Sequence, residues 1–161
     1  MDNKFQTRTH RLPDEFYQGL ITVAFTCCLK DKKQDIAKKE IVLPCSEILF
    51  TESIRSDCDV LAYIFMPNHC HILLQGKSDH ANTKSAIHNF KQKSGYWLSK
   101  NHHGFEWQKS FYDHILRSDE ETDKHMRYIL ENPIRKGIIE DWKEYPWKGS
   151  MVFDLNEWSP L

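Results

Sequence analysis

Short apolar segments recur through the first half of the chain and are separated by charged and turn-forming residues. Residues 20–29 are rich in Val, Ile, Thr and Phe, which predicts a strand. Residues 44–56 carry apolar positions at helical spacing and predict a helix that opens near its proline. Two short apolar segments, residues 60–66 and 69–75, predict strands on either side of a Pro-Asn turn. Their short separation predicts a hairpin.

The second half of the chain has a longer periodicity. Residues 82–100 predict a helix that is capped by Asn82 and has its apolar residues on one face. Residues 111–117 predict a strand. Ser118 has a glutamate three positions later, the spacing of a capping box, and the helix that it opens should end near Asn132 because a proline follows.

The order β-α-β-β-α-β-α predicts an α+β fold, with a ferredoxin-like antiparallel sheet and helices packed on one side. The sequence has no internal repeat, low-complexity tract or flexible linker. We therefore expect one domain over residues 1–161, with a core at about 16–140 and an aromatic C-terminal tail at 141–161.

Composition narrows the class of protein. A chain of 161 residues with 40% hydrophobic residues can build its own core, and no apolar run approaches the roughly 20 residues of a membrane span. The polar start of the chain, residues 1–8, has no apolar signal core, which predicts a cytoplasmic protein. The five cysteines are odd in number and include no Cys-x-x-Cys pair, which argues against a disulfide framework and a cysteine-based zinc site.

The net charge of −1 gives no support to nucleic-acid binding, but the basic residues are unevenly placed. Residues 84–117 contain six basic and two acidic side chains, so a local basic surface is one interpretation and a solvated helix face is the other. The candidate phosphate contacts are Lys91, Arg117, Arg135 and Lys136.

Two histidines separated by one residue lie at the start of a predicted strand. Alternate side chains of a strand share a face, so His69 and His71 should project together while Cys70 points into the core. Two such imidazoles can bind one metal ion. The alternative is a pair of surface histidines on a half-exposed strand.

Tyr128 and Asn132 are four residues apart on a predicted helix, which places both on one face. They lie away from the centre of the apolar stripe that includes Met126, Ile129 and Leu130. An exposed structural tyrosine would fit this pattern too.

Together the histidine pair and the pair Tyr128 and Asn132 suggest attack of a tyrosine on a phosphate beside a metal ion. A phenol is a poor nucleophile at neutral pH, and a divalent ion can polarise the phosphate that it attacks. Asn132 could add an amide oxygen to His69 and His71, so the metal site would lack an anionic ligand. Phosphate oxygens could supply the missing charge, which favours a nucleic-acid substrate and Mg²⁺ or Mn²⁺.

The histidine segment resembles a known family. Residues 66–74, Met-Pro-Asn-His-Cys-His-Ile-Leu-Leu, are similar to the HUH motif of the single-tyrosine transposases, which include the IS200-like transposases. In that motif U is a bulky apolar residue, and Cys70 departs from it by being smaller than the usual aliphatic side chain.

Further segments resemble the branch called REP-associated tyrosine transposases, and the resemblance covers residues 60–147. Residues 1–59 match only weakly, so the resemblance does not predict that they contact a specific DNA sequence. The matching segments are residues 89–91, 107–114 with Arg117, 128–133 and 145–147.

The resemblance implies a ferredoxin-like fold and a divalent metal bound by His69 and His71, with Asn132 as third ligand. It implies that Tyr128 joins covalently to the 5′ phosphate of cut single-stranded DNA and releases a 3′ hydroxyl. It further implies cleavage and rejoining at hairpin-forming repeats. We expect a cytoplasmic, nucleoid-associated protein, and the sequence leaves open whether it is a homodimer or a monomer.

Other interpretations remain open at this point. Tyr112 is the rival nucleophile, with its strand face undetermined, and is interpreted as structural. The protein could also be a domesticated DNA-binding protein that does not transpose. A zinc enzyme for small molecules is the third class, although it would be expected to have an acidic ligand or general base near His69 and His71.

Overall fold

The computed structural model describes residues 12–159 and shows a five-stranded antiparallel sheet with helices on both faces. The strands are β1 (Thr22–Cys28), β2 (Cys58–Met66), β3 (His69–Gly76), β4 (Tyr112–Leu116) and β5 (Lys148–Gly149). Their order across the sheet is β4-β1-β3-β2-β5. The α+β class and the antiparallel sheet that the sequence predicts are confirmed, whereas the helices, which were predicted on one side of the sheet, lie on both faces because α3 has its own apolar stripe to bury. The polar start of the chain, residues 1–8, lies outside the described residues.

The hairpin β2–β3 forms around residues 67–68 as predicted, and β3 is the central strand. Its register with β1 pairs His71 with Thr26 and His69 with Cys28. Between β2 and β3 the register shifts at residues 60–62, a bulge that keeps both Leu61 and Ala62 buried. Burial of β3 on both faces fixes its register, because a slip of one residue would exchange His71 with an apolar neighbour.

The two long helices, α1 (Lys39–Arg55) and α2 (Thr83–Asn101), share one face of the sheet. Asn82 caps α2 by accepting a hydrogen bond from the Ser85 amide at 2.9 Å, as the sequence predicts. The predicted start of α1 at Pro44 is wrong by five residues. The first turn includes Ile41 and Val42, whose burial in the core stabilises it, and a proline early in a helix removes only one backbone hydrogen bond.

A third helix, α3 (Asp119–Leu130), packs on the other face, followed by one turn, α4 (Asn132–Arg135). Met126, Ile129 and Leu130 of α3 are buried against that face as the apolar stripe predicts. The helix ends slightly earlier than predicted, because Glu131 has ψ near −2° and Pro133 then opens α4.

The C-terminal segment completes the cover of this second face. The Tyr145 hydroxyl donates to the Phe65 carbonyl at 2.5 Å, and the Phe65 amide donates to the Trp147 carbonyl at 2.8 Å. Residues 148–149 then pair with β2 as the edge strand β5. The sequence did not predict this strand, which is only two residues long. The aromatic tail packs on the core, while the prediction of one domain over residues 1–161 stays a prediction.

The five cysteines are all free, which confirms the absence of a disulfide framework. Cys70 is fully buried in the core between the sheet and the two long helices, as its place between two histidines predicts. No helix within residues 12–159 combines the length and hydrophobicity needed to cross a bilayer.

Candidate metal and nucleophile site

His69 and His71 lie on the face of β3 that α3 and α4 cover, and both are partly exposed. Strand alternation places Cys70 on the opposite face, as expected. The two imidazole rings stand edge to face with their centroids 4.9 Å apart. The predicted pairing of the two side chains on one face is therefore observed.

Each histidine has a different partner at its Nδ1 atom. Nδ1 of His69 lies 2.7 Å from Oδ1 of Asn68, and Nδ1 of His71 lies 2.9 Å from Oγ1 of Thr26. These contacts leave the two Nε2 atoms to face a common point on the side of α4.

Asn132 occupies that point. Its side-chain amide nitrogen lies 3.2 Å from Nε2 of His71 and 3.5 Å from Nε2 of His69. Asn132 is buried, and Pro133 beside it anchors α4 against the core. The structure thus brings together the three residues that the sequence and the resemblance assign to one metal site.

Burial keeps both histidines neutral. Desolvation lowers the pKa of His69 to about 4, and the nearby Lys136 acts in the same direction. Desolvation also lowers the pKa of His71 well below its ordinary value, with smaller contributions from His69, His125, Arg135 and Lys136. A neutral imidazole with a free Nε2 lone pair is the form that binds a metal ion.

The donor set fits a divalent ion. Two Nε2 atoms and one amide converge within hydrogen-bonding distance of each other. The amide nitrogen of Asn132 faces the two histidines, and a half-turn of the amide would present Oδ1, the atom that a hard cation would bind. In the described part of the chain, no three His, Cys, Asp or Glu side chains form a cluster that could hold a metal.

Tyr128 lies one helical turn before Asn132, although Glu131 interrupts the helix between them. Its ring is half-buried, and the Arg135 guanidinium carbon stacks 3.9 Å from the ring centroid. Nη2 of Arg135 also donates to the Tyr128 carbonyl at 2.5 Å. Arg135 therefore holds both the ring and the backbone of Tyr128, across the junction between α3 and α4.

Several other aromatic side chains share this face. His125, three residues before Tyr128, has its ring 6.1 Å from the tyrosine ring and 6.1 Å from the His114 ring. Tyr112 pairs with Thr26, which pairs with His71, and paired residues of antiparallel strands point to the same face. The rival nucleophile Tyr112 therefore lies on the face of the site, two strands from His71.

The four candidate phosphate contacts have different surroundings. Arg135 and Lys136 are exposed beside the histidines and contribute positive charge there. Arg117 is exposed at the end of β4. Lys91 lies on α2, on the opposite face of the sheet, and its ammonium donates to the main-chain carbonyls of Gln108 and Ser110. We infer a structural task for Lys91, namely tying that loop to α2.

Two solved structures share this fold. The fold superposes on a solved structure described as a REP-associated tyrosine transposase bound to a REP hairpin, with a TM-score of 0.74, 17% sequence identity, and coverage of 88% of this chain and 81% of that chain. A second structure, described as a transposase of Deinococcus radiodurans, gives a TM-score of 0.51 at 18% identity, covering 80% of this chain and 96% of that one. At these identities the likeness concerns the fold.

The sequence comparison identifies the family. The family model described as "Transposase IS200 like" matches residues 18–132, which include the strands β1–β4 and the histidine, tyrosine and asparagine positions. The chain therefore belongs to the IS200-like transposase family. A protein of Haemophilus influenzae described as a REP-associated tyrosine transposase is 27% identical over an alignment of 114 positions that covers 61% of this chain. The match spans 65% of that relative, slightly less than two thirds of its length.

Four residues touch the site through contacts that the sequence analysis did not predict. Thr26 and Asn68 contact the histidines, and His125 and Arg135 contact Tyr128. A signal was available for His125, because residues three apart on a helix are neighbours. Asn68 adjoins His69, but its side-chain contact depends on the turn geometry. Thr26 comes from another strand and could be found only from the sheet register.

Proposed function

We propose that this protein cuts and rejoins single-stranded DNA at hairpin-forming repeats, through a covalent bond between Tyr128 and a 5′ phosphate. The observation that carries the proposal is the convergence of His69, His71 and Asn132 one turn from Tyr128, in a chain of the IS200-like transposase family. The hairpin bound to the structural relative supports the substrate class.

In the proposed reaction, the Tyr128 oxygen attacks the phosphorus of the DNA backbone. A phosphotyrosine bond forms as Tyr128 loses its hydroxyl proton, the bond from phosphorus to the 3′ oxygen breaks, and the departing 3′ oxygen takes up a proton to become the 3′ hydroxyl. Attack of a 3′ hydroxyl on the phosphotyrosine then reverses these steps and rejoins a strand. Arg135 restricts the ring of Tyr128, which reduces the conformational freedom lost on the way to the transition state.

His69, His71 and Asn132 would hold the divalent ion, Mg²⁺ or Mn²⁺, which supplies polarisation of the phosphate and neutralisation of developing charge. Being neutral, these residues leave the ion its full charge for the phosphate oxygens. Arg135 and Lys136, exposed beside the histidines, would add attraction for the DNA backbone. Such a protein would act at the nucleoid, either as a monomer or as a homodimer.

The proposal is tested by the adduct itself. Wild-type protein incubated with Mn²⁺ and an end-labelled hairpin that has single-stranded flanks should form a covalent protein–DNA species in denaturing electrophoresis, with mass spectrometry locating it on Tyr128. Tyr128→Phe removes only the hydroxyl, so the adduct should disappear while the melting temperature stays nearly unchanged.

Tyr112→Phe is the matched control, because Tyr112 lies on the same face and is also half-buried. It should retain the adduct. Chelation of divalent ions, or a blunt duplex in place of the hairpin, should abolish the adduct. An adduct on Tyr112, or undiminished cleavage by Tyr128→Phe, would contradict the assignment. Binding of the hairpin without any cleavage would favour a domesticated DNA-binding protein.

A further inference from the structure

The turn between β2 and β3 is held by main-chain bonds to the segment that follows β1. The Leu29 amide donates to the Asn68 carbonyl at 2.9 Å, and the Ile36 amide donates to the Pro67 carbonyl at 2.7 Å. Both residues of the turn are therefore hydrogen-bonded to the segment that follows β1. Asn68 immediately precedes His69, so this turn also fixes the backbone position of His69.

The side chain of Asn68 has one orientation that satisfies both of its ends. Its Nδ2 donates to the Lys32 carbonyl at 3.2 Å, while its Oδ1 lies 2.7 Å from Nδ1 of His69. Rotating the amide by half a turn would bring Oδ1 against the Lys32 carbonyl, and two acceptors would then face each other. The hydrogen bond to the Lys32 carbonyl therefore keeps Nδ2 on that side and leaves Oδ1 as the atom of Asn68 that contacts His69.

This orientation has a consequence for the proton of His69. An amide oxygen only accepts hydrogen bonds, so Nδ1 of His69 must be the donor. A neutral imidazole carries one N–H, and Nε2 is then left with a lone pair. Nε2 is the atom that faces Asn132 and the proposed metal position.

We propose that Asn68 is a positioning residue that fixes His69 as its Nδ1–H tautomer and so directs the Nε2 lone pair toward the metal position. The tautomer itself follows from contacts within the protein, whereas the consequence for metal binding rests on the proposed function. Outer partners of this kind orient a metal-binding imidazole and raise its basicity.

The Thr26 hydroxyl does not fix the tautomer of His71 in the same way. A hydroxyl both donates and accepts, so the 2.9 Å contact between Thr26 Oγ1 and His71 Nδ1 is compatible with either tautomer. The inference therefore concerns Asn68, and it predicts that a change at this position affects the tautomer of His69 and leaves that of His71 unchanged.

The experiment measures the tautomer in the metal-free, full-length protein. Long-range proton–nitrogen correlation spectra of protein labelled with ¹⁵N in its histidines distinguish the two neutral tautomers, and the signals that vanish in His69→Gln belong to His69. Wild-type His69 should show the Nδ1–H pattern. Asn68→Leu removes both amide functions with a side chain of similar shape and should lose that pattern.

A second readout is the dissociation constant for Mn²⁺ measured by calorimetry. Asn68→Leu should weaken it by about 10- to 100-fold, the usual effect of removing an outer partner of a metal ligand. Asn101→Leu is the matched control, because Asn101 also donates from its side chain to a main-chain carbonyl, that of Trp97, but lies exposed at the end of α2. It should leave both the spectrum and the affinity unchanged.

The two readouts separate the possible failures. An Nε2–H pattern at His69 in the wild-type spectrum would overturn this inference even if Asn68→Leu failed to fold, and so would an unchanged His69 pattern in folded Asn68→Leu. Wild-type protein that has the Nδ1–H pattern but binds no Mn²⁺ would support the role of Asn68 and contradict the proposed metal site.

Discussion

At the scale of single residues, Tyr128 depends on a neighbour that is seven positions away. The Arg135 guanidinium stacks on the Tyr128 ring and donates to its carbonyl, so one side chain restrains both the ring and the backbone. A stacked guanidinium contributes about 0.5–2 kcal/mol to such a contact. Because Arg135 is also exposed, it remains accessible to a phosphate group.

Arg135→Gln should therefore slow formation of the covalent adduct by about tenfold at saturating DNA, equivalent to about 1.4 kcal/mol of transition-state stabilisation. Arg135→Lys should fall between this variant and the wild type, because an ammonium is not planar. The measurement is a single-turnover rate, with saturating DNA separating a rate effect from weaker DNA binding.

Arg127→Gln provides the comparison, because Arg127 is exposed on α3, the helix that carries Tyr128, and bonds to Glu131 rather than to Tyr128. Its rate should stay at the wild-type level. Equal rates for Arg135→Gln and Arg127→Gln would show that the contact with the ring does not contribute to the reaction.

At the scale of elements, the start of a helix was predicted correctly where a capping side chain defines it. The helix α2 begins where predicted, since Asn82 bonds to the backbone three residues later. The helix α3 has an equally local start, because the Ser118 hydroxyl accepts from the Glu121 amide at 3.1 Å and the Glu121 carboxylate accepts from the Arg117 amide at 2.8 Å. The start of α1 has no capping side chain and depends on tertiary burial.

Removing the cap of α3 should loosen the element that carries Tyr128. Ser118→Ala should lower the free energy of unfolding by about 1 kcal/mol, because the Glu121 amide loses its acceptor. Urea denaturation measures this difference. Ser99→Ala is the control, since Ser99 bonds to the Tyr96 carbonyl inside an exposed part of α2 and its removal should change stability little. Equal losses in both variants would argue against a capping role for Ser118.

At the scale of the whole molecule, the sheet separates two cores with different tasks. The core under α1 and α2 packs apolar side chains of both helices against the sheet, whereas the face under α3 carries the histidines, Asn132 and the ring of Tyr128. His125 is buried on this second face, and desolvation lowers its pKa from 6.5 to about 4, with His114 acting in the same direction. Folding therefore favours the neutral form of His125.

This shift makes stability depend on pH in a definite direction. The unfolded chain binds a proton at His125 below pH 6.5 while the folded protein does not, so stability is full above that pH and falls as the pH is lowered toward about 4. The loss should be about 1.4 kcal/mol per pH unit for this one group.

His125→Gln should make the pH dependence shallower by that amount, as measured by urea denaturation between pH 7 and 4.5. The slope should not vanish, because His69 and His71 have pKa values lowered in the same way. His103→Gln, at an exposed position in the loop after α2, should keep the wild-type slope. A slope in His125→Gln equal to that of the wild type would contradict the buried, neutral state of His125.

The sequence by itself determined the features that depend on neighbouring residues. Alternation along β3 predicted that His69 and His71 share a face, and the apolar stripe of α3 predicted which of its residues are buried, because both depend only on the local period of the backbone. The order of elements predicted the antiparallel sheet. The motifs at residues 66–74 and 128–133 indicated the family before any contact was known.

Only the tertiary structure decided what depends on distant segments. The approach of Asn132 to His69 and His71 requires α4 to pack on the sheet, and the partners Thr26 and Lys32 come from β1 and the segment after it. The placement of α3 on the second face, the edge strand β5 and the side of Tyr112 likewise arise from strand register and packing. No local period encodes these contacts, because the free energy that selects them comes from burying surfaces that are far apart in the sequence.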